Sequence, residues 1–231
     1  MWTVVSDLHL FSHRSRAERH RAFIVDAARR SDVLVLNGDI FDFEWSTLGE
    51  LNATIEGAER WLRDLAADCP DSRIYYLLGN HDAVLPWAER CAELVSDVGN
   101  LEWSPDYLRL GDTLFTHGDL LIGRGPKTTR PLHPEVEPRK HWVGRAYDVI
   151  SHLRVPRAIT LCTSRRLSAR MIHRNFLQLG ADLTDGVRRI CTGHTHRPFT
   201  GLQLRGLELH NTGSTIAGMP FRPVVLSPFA R

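Results

Sequence analysis

Residues 3–10 carry the pattern Thr3-Val4-Val5-Ser6-Asp7-Leu8-His9-Leu10, in which a short β-branched run leads directly into two polar side chains. The run is typical of a buried strand, so the pattern predicts a strand that ends at a polar loop. Asp7 and His9 are two residues apart, and at a strand end their side chains can point to the same side and hold one ion together.

Four later segments repeat this arrangement of an apolar run followed by carboxylate, amide or imidazole groups. They are Asn37-Gly38-Asp39, Gly79-Asn80-His81-Asp82, Thr116-His117-Gly118-Asp119 and Gly193-His194-Thr195-His196. The preceding runs, at 33–37, 74–78, 113–116 and 189–192, are predicted strands, as are 207–211 and 223–227. Ligands in open α/β sheets collect at the carboxyl ends of strands, so the five motifs are expected to converge on one site.

Helix-like stretches at 16–30, 48–67 and 86–95 lie between these strands. The alternation of strand and helix predicts an α/β fold. A chain of 231 residues with 42% hydrophobic residues is long enough to bury one substantial core. We therefore expect a single domain over residues 1–231.

Residues 121–187 depart from this alternation and are predicted to be an insertion within the domain. A loop rich in proline, glycine and basic residues comes first, and two apolar helical patterns follow, at 142–153 and 161–179, on either side of Pro156. Between residues 122 and 190 there are 14 Lys/Arg and 5 Asp/Glu. This basic helical hairpin is expected to attract phosphate, and its apolar faces either pack on the core or line a groove for acyl chains.

Bulk composition excludes little. A net charge of +2 does not by itself indicate a nucleic-acid-binding protein. Four cysteines, at positions 69, 91, 162 and 191, have no metal-binding or disulfide spacing. The sequence shows no leader peptide and no apolar run of the roughly 20 residues that cross a bilayer, so we expect a cytoplasmic protein with at most peripheral contact at the inner membrane surface.

Imidazole, carboxylate and amide ligands without thiolate suit Mn²⁺, Fe or Zn²⁺ better than Ca²⁺ or Mg²⁺. Each motif alone is weak, because an Asp or Asn at a strand end is commonly a turn former or a helix cap. Five such motifs at five predicted strand ends indicate a metal site, since core packing has no use for so many polar groups in one place.

The motif set resembles the signature of the calcineurin-like metallophosphoesterases, from Val4 to His196. The resemblance implies two packed mixed β-sheets flanked by helices. The wording of the motifs is most similar to the UDP-2,3-diacylglucosamine diphosphatases and their relatives, although these usually carry arginine where this chain has His81.

The resemblance also implies roles for individual residues. One divalent ion would be held by Asp7, His9, Asp39 and His196, and the other by Asp39, Asn80, His117 and His194. Mn²⁺ is the expected metal, with Fe or Zn²⁺ as alternatives. A metal-bridging hydroxide would attack phosphorus, His81 would protonate or stabilise the leaving oxygen, and Asp82 would orient the ring of His81.

Three functions remain open from the sequence. The favoured one is hydrolysis of a phosphoester or pyrophosphate bond in a nucleotide-linked or lipid-linked molecule, such as UDP-2,3-diacylglucosamine. The basic insertion also allows a nuclease, and the same fold could serve as a non-catalytic scaffold. Trp45 and Trp142 are candidates for a pocket wall. The segment 211–214 either borders the site or forms a plain turn. No obligate protein partner is predicted.

Overall fold

The computed structural model describes residues 1–136 and 164–228. Within these residues the predicted sandwich of two mixed β-sheets flanked by helices is confirmed, with five strands in each sheet. The fold class deduced from the motifs is therefore correct.

The first sheet is mostly parallel. It contains β1 (Trp2–Val5), β2 (Val33–Asn37), β3 (Arg73–Leu77), β4 (Leu101–Ser104) and β10 (Val224–Leu226), in the order β10-β1-β2-β3-β4. Strands β1 to β4 pair in parallel, with Val4 opposite Val35 and Leu36 opposite Tyr76, while β10 runs antiparallel to β1. Parallel pairing places the carboxyl ends of β1, β2 and β3 at one edge.

The second sheet contains β5 (Leu108–Leu110), β6 (Thr113–Phe115), β7 (Arg189–Thr192), β8 (Phe199–Leu204) and β9 (Leu207–Asn211), in the order β5-β6-β7-β9-β8. Its central strands β6, β7 and β9 are parallel, and the outer strands β5 and β8 are antiparallel to their neighbours.

Helices cover the outer faces of the sandwich. A 3₁₀ helix (Ala17–His20) leads into α1 (Arg21–Arg29), followed by α2 (Leu51–Asp68), α3 (Leu85–Asp97), α4 (Arg165–Phe176) and the short α5 (Ala181–Thr184). Pro86 lies in the first turn of α3, where a missing N–H costs no intrahelical hydrogen bond. Among the described residues, no helix combines the length and apolar character needed to span a bilayer.

The alternation of side chains along the strands separates three layers of core. Val4, Val35 and Leu77 face the second sheet and meet Phe115 and Cys191 there. Their neighbours along the strands, such as Val5 and Leu36, turn outward to α1, α2 and α3. On the far side, Ile172 and Phe176 of α4 pack on the second sheet, so these apolar positions of the insertion belong to the core.

Some boundaries and elements differ from the prediction. The stretch 16–30 is a 3₁₀ helix followed by α1, not one helix, and β4, β5 and β8 were not predicted because they are short or only partly buried. The first half of the predicted helical hairpin, including Trp142, and Cys162 lie outside the described residues. The division into one domain with an insertion at 121–187 stays a prediction.

Candidate metal centre

The five polar motifs follow five strands from both sheets. Asp7 and His9 come after β1, Asp39 after β2 and Asn80 after β3, while His117 follows β6, and His194 and His196 follow β7. All these strands are parallel neighbours within their sheets. The motifs therefore meet at the carboxyl-end edge of the sandwich, as expected for this topology.

Asp7, His9, Asp39 and His196 form one compact group, whose ligand atoms all lie within 4.8 Å of one another. Nε2 of His196 lies 3.2 Å from Oδ1 of Asp7 and 3.3 Å from Nε2 of His9. Nε2 of His9 lies 3.8 Å from Oδ2 of Asp39. Two imidazoles and two carboxylates at this spacing could hold one divalent cation.

The remaining three predicted ligands, His117, His194 and Asn80, contact Asp39 or one another. Nε2 of His117 is 3.0 Å from Oδ2 of Asp39, and the ring centroids of His117 and His194 are 5.4 Å apart. Nδ1 of His194 lies 2.9 Å from Oδ1 of Asn80. Oδ2 of Asp39 is therefore 3.0 Å from Nε2 of His117 and 3.8 Å from Nε2 of His9.

Buried charge is concentrated here. The side chains of Asp7 and Asp39 are at most 1% exposed, and burial opposes their ionisation, yet the adjacent histidines outweigh it and hold the pKa of both carboxyls below the usual value. Burial together with the nearby His117 lowers the pKa of His194 to about 4, so this ring is neutral at pH 7. Buried carboxylates need compensating cations, and neutral imidazole is the form that binds metals.

His117 tests whether the residues fit a metal. Its Nδ1 faces the carbonyl oxygen of Asn37 at 3.2 Å, so Nδ1 carries a proton and Nε2 is the nitrogen left to bind a metal. That buried Nε2 makes no hydrogen bond, although Oδ2 of Asp39 is only 3.0 Å away. Burial would lower the pKa of His117, but Asp39 and Asp7 raise it to about 10, because without a metal only a proton can supply positive charge beside these carboxylates. A metal ion that replaced this proton would be bound by Nε2 of His117 and the carboxylate of Asp39, so the residues fit a metal.

The backbone of the site is strained at its ligands. Five of the seven predicted ligands have positive φ, namely Asp7 (54°), His9 (47°), Asp39 (52°), His194 (64°) and His196 (52°). Residues other than glycine adopt this region at a cost of order 1–3 kcal/mol each, and such residues cluster at functional sites. The surrounding fold therefore holds the ligand loops in conformations that the residues themselves disfavour.

Two glycines make room for the carboxylates. A Cβ at Gly79 would overlap the carboxylate and the backbone nitrogen of Asp39, and one at Gly193 would overlap the side chains of Asp7 and Ser6. Any side chain at either position would displace a predicted ligand.

His81 lies beside the cluster, and its orienting carboxylate is Asp42, not the predicted Asp82. Nδ1 of His81 is 3.2 Å from Oδ1 of Asp42, and Nδ1 of His9 is 3.4 Å from Oδ2 of the same carboxylate. Burial would lower the pKa of His81, but Asp39 and Asp42 raise it to about 9. The motif Gly38-Asp39-Ile40-Phe41-Asp42 carried the signal, since Asp42 follows the same strand end as Asp39.

Asp82 forms hydrogen bonds within the protein and does not contact His81 through its carboxylate in the way that was predicted. Its carboxylate accepts hydrogen bonds from the backbone N–H of Ile40 at 3.0 Å, from the Tyr76 hydroxyl at 2.8 Å and from the N–H of Gly79. Burial and the charge of Asp39 raise its pKa to about 6. Asp82 ties the loop after β2 to the loop after β3, so its position follows from chain packing and the local motif could not show it.

The segment 211–215 is hydrogen-bonded to the loops that follow β1 and β7. Asn211 donates to the carbonyl of Gly193 at 2.6 Å, Ser214 donates to the carbonyl of Asp7 at 3.0 Å, and Thr215 donates to the carbonyl of Leu8 at 2.6 Å. Thr212 accepts from the N–H of Ser6 at 3.1 Å. These bonds fix the backbone of two ligand loops, a role closer to the predicted border of the site than to a plain turn.

The geometry agrees with comparison to known proteins. A family model described as calcineurin-like phosphoesterase matches residues 3–198, which include all seven predicted ligands. The chain belongs to this family. It is accordingly a metal-dependent phosphoesterase of the calcineurin-like type, with a cluster of side chains able to bind divalent metal.

Curated relatives of this calcineurin-like phosphoesterase include two enzymes named UDP-2,3-diacylglucosamine hydrolase. The one from Pseudomonas paraeruginosa is 26% identical over 237 residues, covering 98% of this chain and 90% of the relative. The one from Edwardsiella ictaluri is 27% identical over 209 residues, covering 84% and 75%. Among solved structures, phosphopantetheinyl hydrolase from Mycobacterium tuberculosis aligns with a TM-score of 0.44 at 10% identity, covering 100% of this chain and 98% of that structure.

Several arginines between residues 122 and 190 form ion pairs or hydrogen bonds within the described part of the phosphoesterase. Arg130, whose side chain is 1% exposed, pairs with Asp119, Arg188 pairs with Asp112, and Arg189 lies 3.6 Å from Glu208. Arg174 donates to the carbonyl of Gly123 at 2.7 Å. Because these arginines already have partners within the protein, fewer positive charges are available to a substrate than the count of 14 Lys/Arg against 5 Asp/Glu suggests.

Proposed function

We propose that this phosphoesterase binds two divalent metal ions and hydrolyses a phosphoester or pyrophosphate bond of a small molecule. Mn²⁺ is the proposed metal. The observation that carries the proposal is that Oδ2 of Asp39 lies 3.8 Å from Nε2 of His9 and 3.0 Å from Nε2 of His117, within a buried cluster of carboxylates and imidazoles. Asp7, His9, Asp39 and His196 would hold one ion, and Asp39, Asn80, His117 and His194 the other.

When bound, two such ions lower the pKa of water near phosphorus and offset the negative charge that develops during attack. Net hydrolysis adds water to phosphorus and breaks the bond to the leaving oxygen, which needs a proton. His81, whose Nδ1 faces Asp42, would supply that proton from Nε2 when its ring is protonated, a form that the neighbouring carboxylates favour. Asp42 fixes the orientation of the ring, and Asp82 fixes the loop that carries it.

The substrate class rests on the curated relatives. Their name points to a nucleotide-linked lipid, UDP-2,3-diacylglucosamine. The sequence identity of 26% and 27% is low enough for this chain to act on a different molecule. A substrate of that kind would also place the enzyme at the inner membrane surface, in peripheral contact through the predicted basic insertion at residues 121–187.

The proposal is tested by metal analysis and a hydrolysis panel. Chelated and dialysed protein should be inactive, and added Mn²⁺ should restore activity with close to two ions bound per chain. UDP-2,3-diacylglucosamine, a nucleotide diphosphate sugar, bis(p-nitrophenyl) phosphate and single-stranded DNA should then be compared at equal concentration. Preference for DNA would favour the nuclease hypothesis, while metal-free, inactive protein after reconstitution would favour the scaffold.

A further inference from the structure

Asn37 is the last residue of β2, and its side chain points toward the second sheet. Val35, two residues earlier, belongs to the apolar cluster between the two sheets, and side chains two apart in a strand point the same way. The side chain of Asn37 is fully buried. A buried amide is stable at such a position only when it finds hydrogen-bond partners there.

The amide nitrogen of Asn37 joins β2 to two strands of the second sheet. It donates to the carbonyl oxygen of Thr116 at 3.1 Å and to that of Cys191 at 3.2 Å. Carbonyl oxygens only accept hydrogen bonds, so the nitrogen of the amide, and not its oxygen, faces them. Thr116 directly precedes His117, and Cys191 belongs to β7, whose following loop carries two more predicted ligands. Asn37 is thus hydrogen-bonded to the strand ends that lead into both ligand loops of the second sheet.

The backbone at Asn37 also contacts His117. Nδ1 of His117 faces the carbonyl oxygen of Asn37 at 3.2 Å. A Cβ on the next residue, Gly38, would lie 2.6 Å from Cβ, Cγ and Nδ1 of His117, so this loop packs closely against the imidazole. Two residues after Asn37, Oδ2 of Asp39 lies 3.0 Å from Nε2 of His117. The position of Asn37 therefore affects both the imidazole and the segment that carries the carboxylate beside it.

Apolar packing alone does not define the spacing of the two sheets at this edge as closely as a metal centre requires. Hydrophobic attraction is non-directional, whereas a hydrogen bond weakens steeply when its length or angle changes. Distances between a metal and its ligands are defined to within about 0.2 Å. The loop after β1 has hydrogen bonds to Thr212, Ser214 and Thr215, and Asn37 supplies the corresponding directional contact for β2.

We propose that Asn37 is a positioning residue that sets the spacing between the predicted ligands of the first sheet, such as Asp39, and those of the second sheet, such as His117. The inference rests on the proposed two-ion centre and adds the residue that holds its two halves together. The amide of Asn37 is hydrogen-bonded to backbone carbonyl oxygens, so it acts on the ions through the strand ends that carry the ligand loops.

The test replaces Asn37 in the full chain and measures the binding of Mn²⁺. Asn37→Leu keeps the branched shape of the side chain and removes its donors, while Asn37→Ala leaves room for a water molecule that donates to the two carbonyl oxygens. We expect the weaker of the two stepwise dissociation constants to rise about tenfold to a hundredfold in Asn37→Leu, and by no more than this in Asn37→Ala.

Electron paramagnetic resonance gives a second measurement that a loss of stability alone would not change. With both sites filled at higher Mn²⁺ concentration, the magnetic coupling between the two ions depends on their separation and on the ligand that they share. We expect this coupling in Asn37→Leu to differ from that of the wild-type chain, because the two halves of the centre are no longer held at the same spacing.

Asn100→Leu is the matched control. The amide of Asn100 also donates to backbone carbonyl oxygens, those of Ala66, Cys69 and Ser72, at 2.9 to 3.2 Å. Asn100 directly precedes β4, at the amino-terminal edge of the first sheet and opposite the edge that carries the predicted ligands. This variant should lower Tm and leave both dissociation constants and the magnetic coupling unchanged.

Several results would overturn the positioning role while leaving the two-ion centre of the wild-type chain intact. If Asn37 only fills space, Asn37→Leu should bind Mn²⁺ like the wild-type chain and Asn37→Ala should be the weaker binder. Equal changes in Asn37→Leu and Asn100→Leu, or failure of both Asn37 variants to fold, would assign Asn37 to general stability. A wild-type chain that never binds a second ion would instead overturn the proposed function, and this inference with it.

Discussion

The carboxylate of Asp42 accepts a hydrogen bond from Nδ1 of His81 at 3.2 Å, although the two residues belong to loops that follow different strands. The other oxygen of Asp42 lies 3.4 Å from Nδ1 of His9. A carboxylate of this kind fixes the ring orientation of a metal-binding histidine and makes its free nitrogen a better ligand. Asp42 therefore links one predicted metal ligand to the proposed acid.

Asp42→Asn should reduce kcat/KM about tenfold to a hundredfold and weaken metal affinity, because the amide cannot stabilise both rings. The pH profile should also change. Asp42 raises the pKa of His81, so without it the loss of activity at high pH should begin at a lower pH. Asp26→Asn, an exposed site on α1, is the control. An unchanged alkaline limb would contradict the coupling of Asp42 to His81.

His81→Ala should affect substrates according to their leaving groups. Esters of alcohols need a proton on the departing oxygen, so their kcat should fall by about 10²-fold or more. Esters of p-nitrophenol leave readily without protonation and should lose less than tenfold. Steady-state kinetics on the two substrates measures the difference, and full turnover of the alkyl ester by the variant would remove His81 as the acid.

Gly79→Ala should disrupt the metal centre. The added methyl would overlap both the carboxylate and the backbone nitrogen of Asp39, so either Asp39 or the loop after β3 has to move. We expect fewer than two ions bound per chain and a lower Tm, measured by metal analysis and calorimetry. Gly99→Ala is the matched control, since a Cβ there meets nothing within 4 Å. Equal metal content in the two variants would show that Asp39 tolerates the displacement.

His210 should make stability depend on pH. Burial lowers its pKa to about 4, against 6.5 for an unperturbed ring, and its Nδ1 accepts the N–H of Gly201 at 3.3 Å. Between pH 6.5 and 4 the unfolded chain binds the proton and the folded chain does not, so stability falls as pH falls, by at most about 3 kcal/mol.

Denaturant unfolding at several pH values checks this. His210→Gln should have a flatter dependence of the unfolding free energy on pH between 4 and 6.5 than the wild-type chain, whereas His13→Gln, an exposed histidine, should retain the wild-type slope. Identical slopes for wild type and His210→Gln would show that the ring is protonated in the folded protein as readily as in the unfolded one.

Local pattern was sufficient for much of the fold. Strands such as Val33–Asn37 and Arg189–Thr192 lie where the β-branched runs predicted them, because a strand buried on both faces has a continuous apolar signature. Short, half-exposed β5 has no such signature, and sequence alone missed it. The proximity of the seven predicted ligands was foreseeable for a similar reason, since each lies in a loop that follows a strand end and parallel pairing brings those ends together.

What sequence by itself determined was the α/β character of the fold and the candidate ligands, because both depend on residues adjacent in the chain. The two-sheet sandwich and the type of chemistry followed from the resemblance of the motifs to a known family. Tertiary structure alone decided that Asp42 and not Asp82 faces His81, that five candidate ligands have positive φ, and that Asn211 is hydrogen-bonded to the loop of Gly193. These features depend on how loops from separate strands pack against one another, and that packing is set by distances through space that no local pattern records.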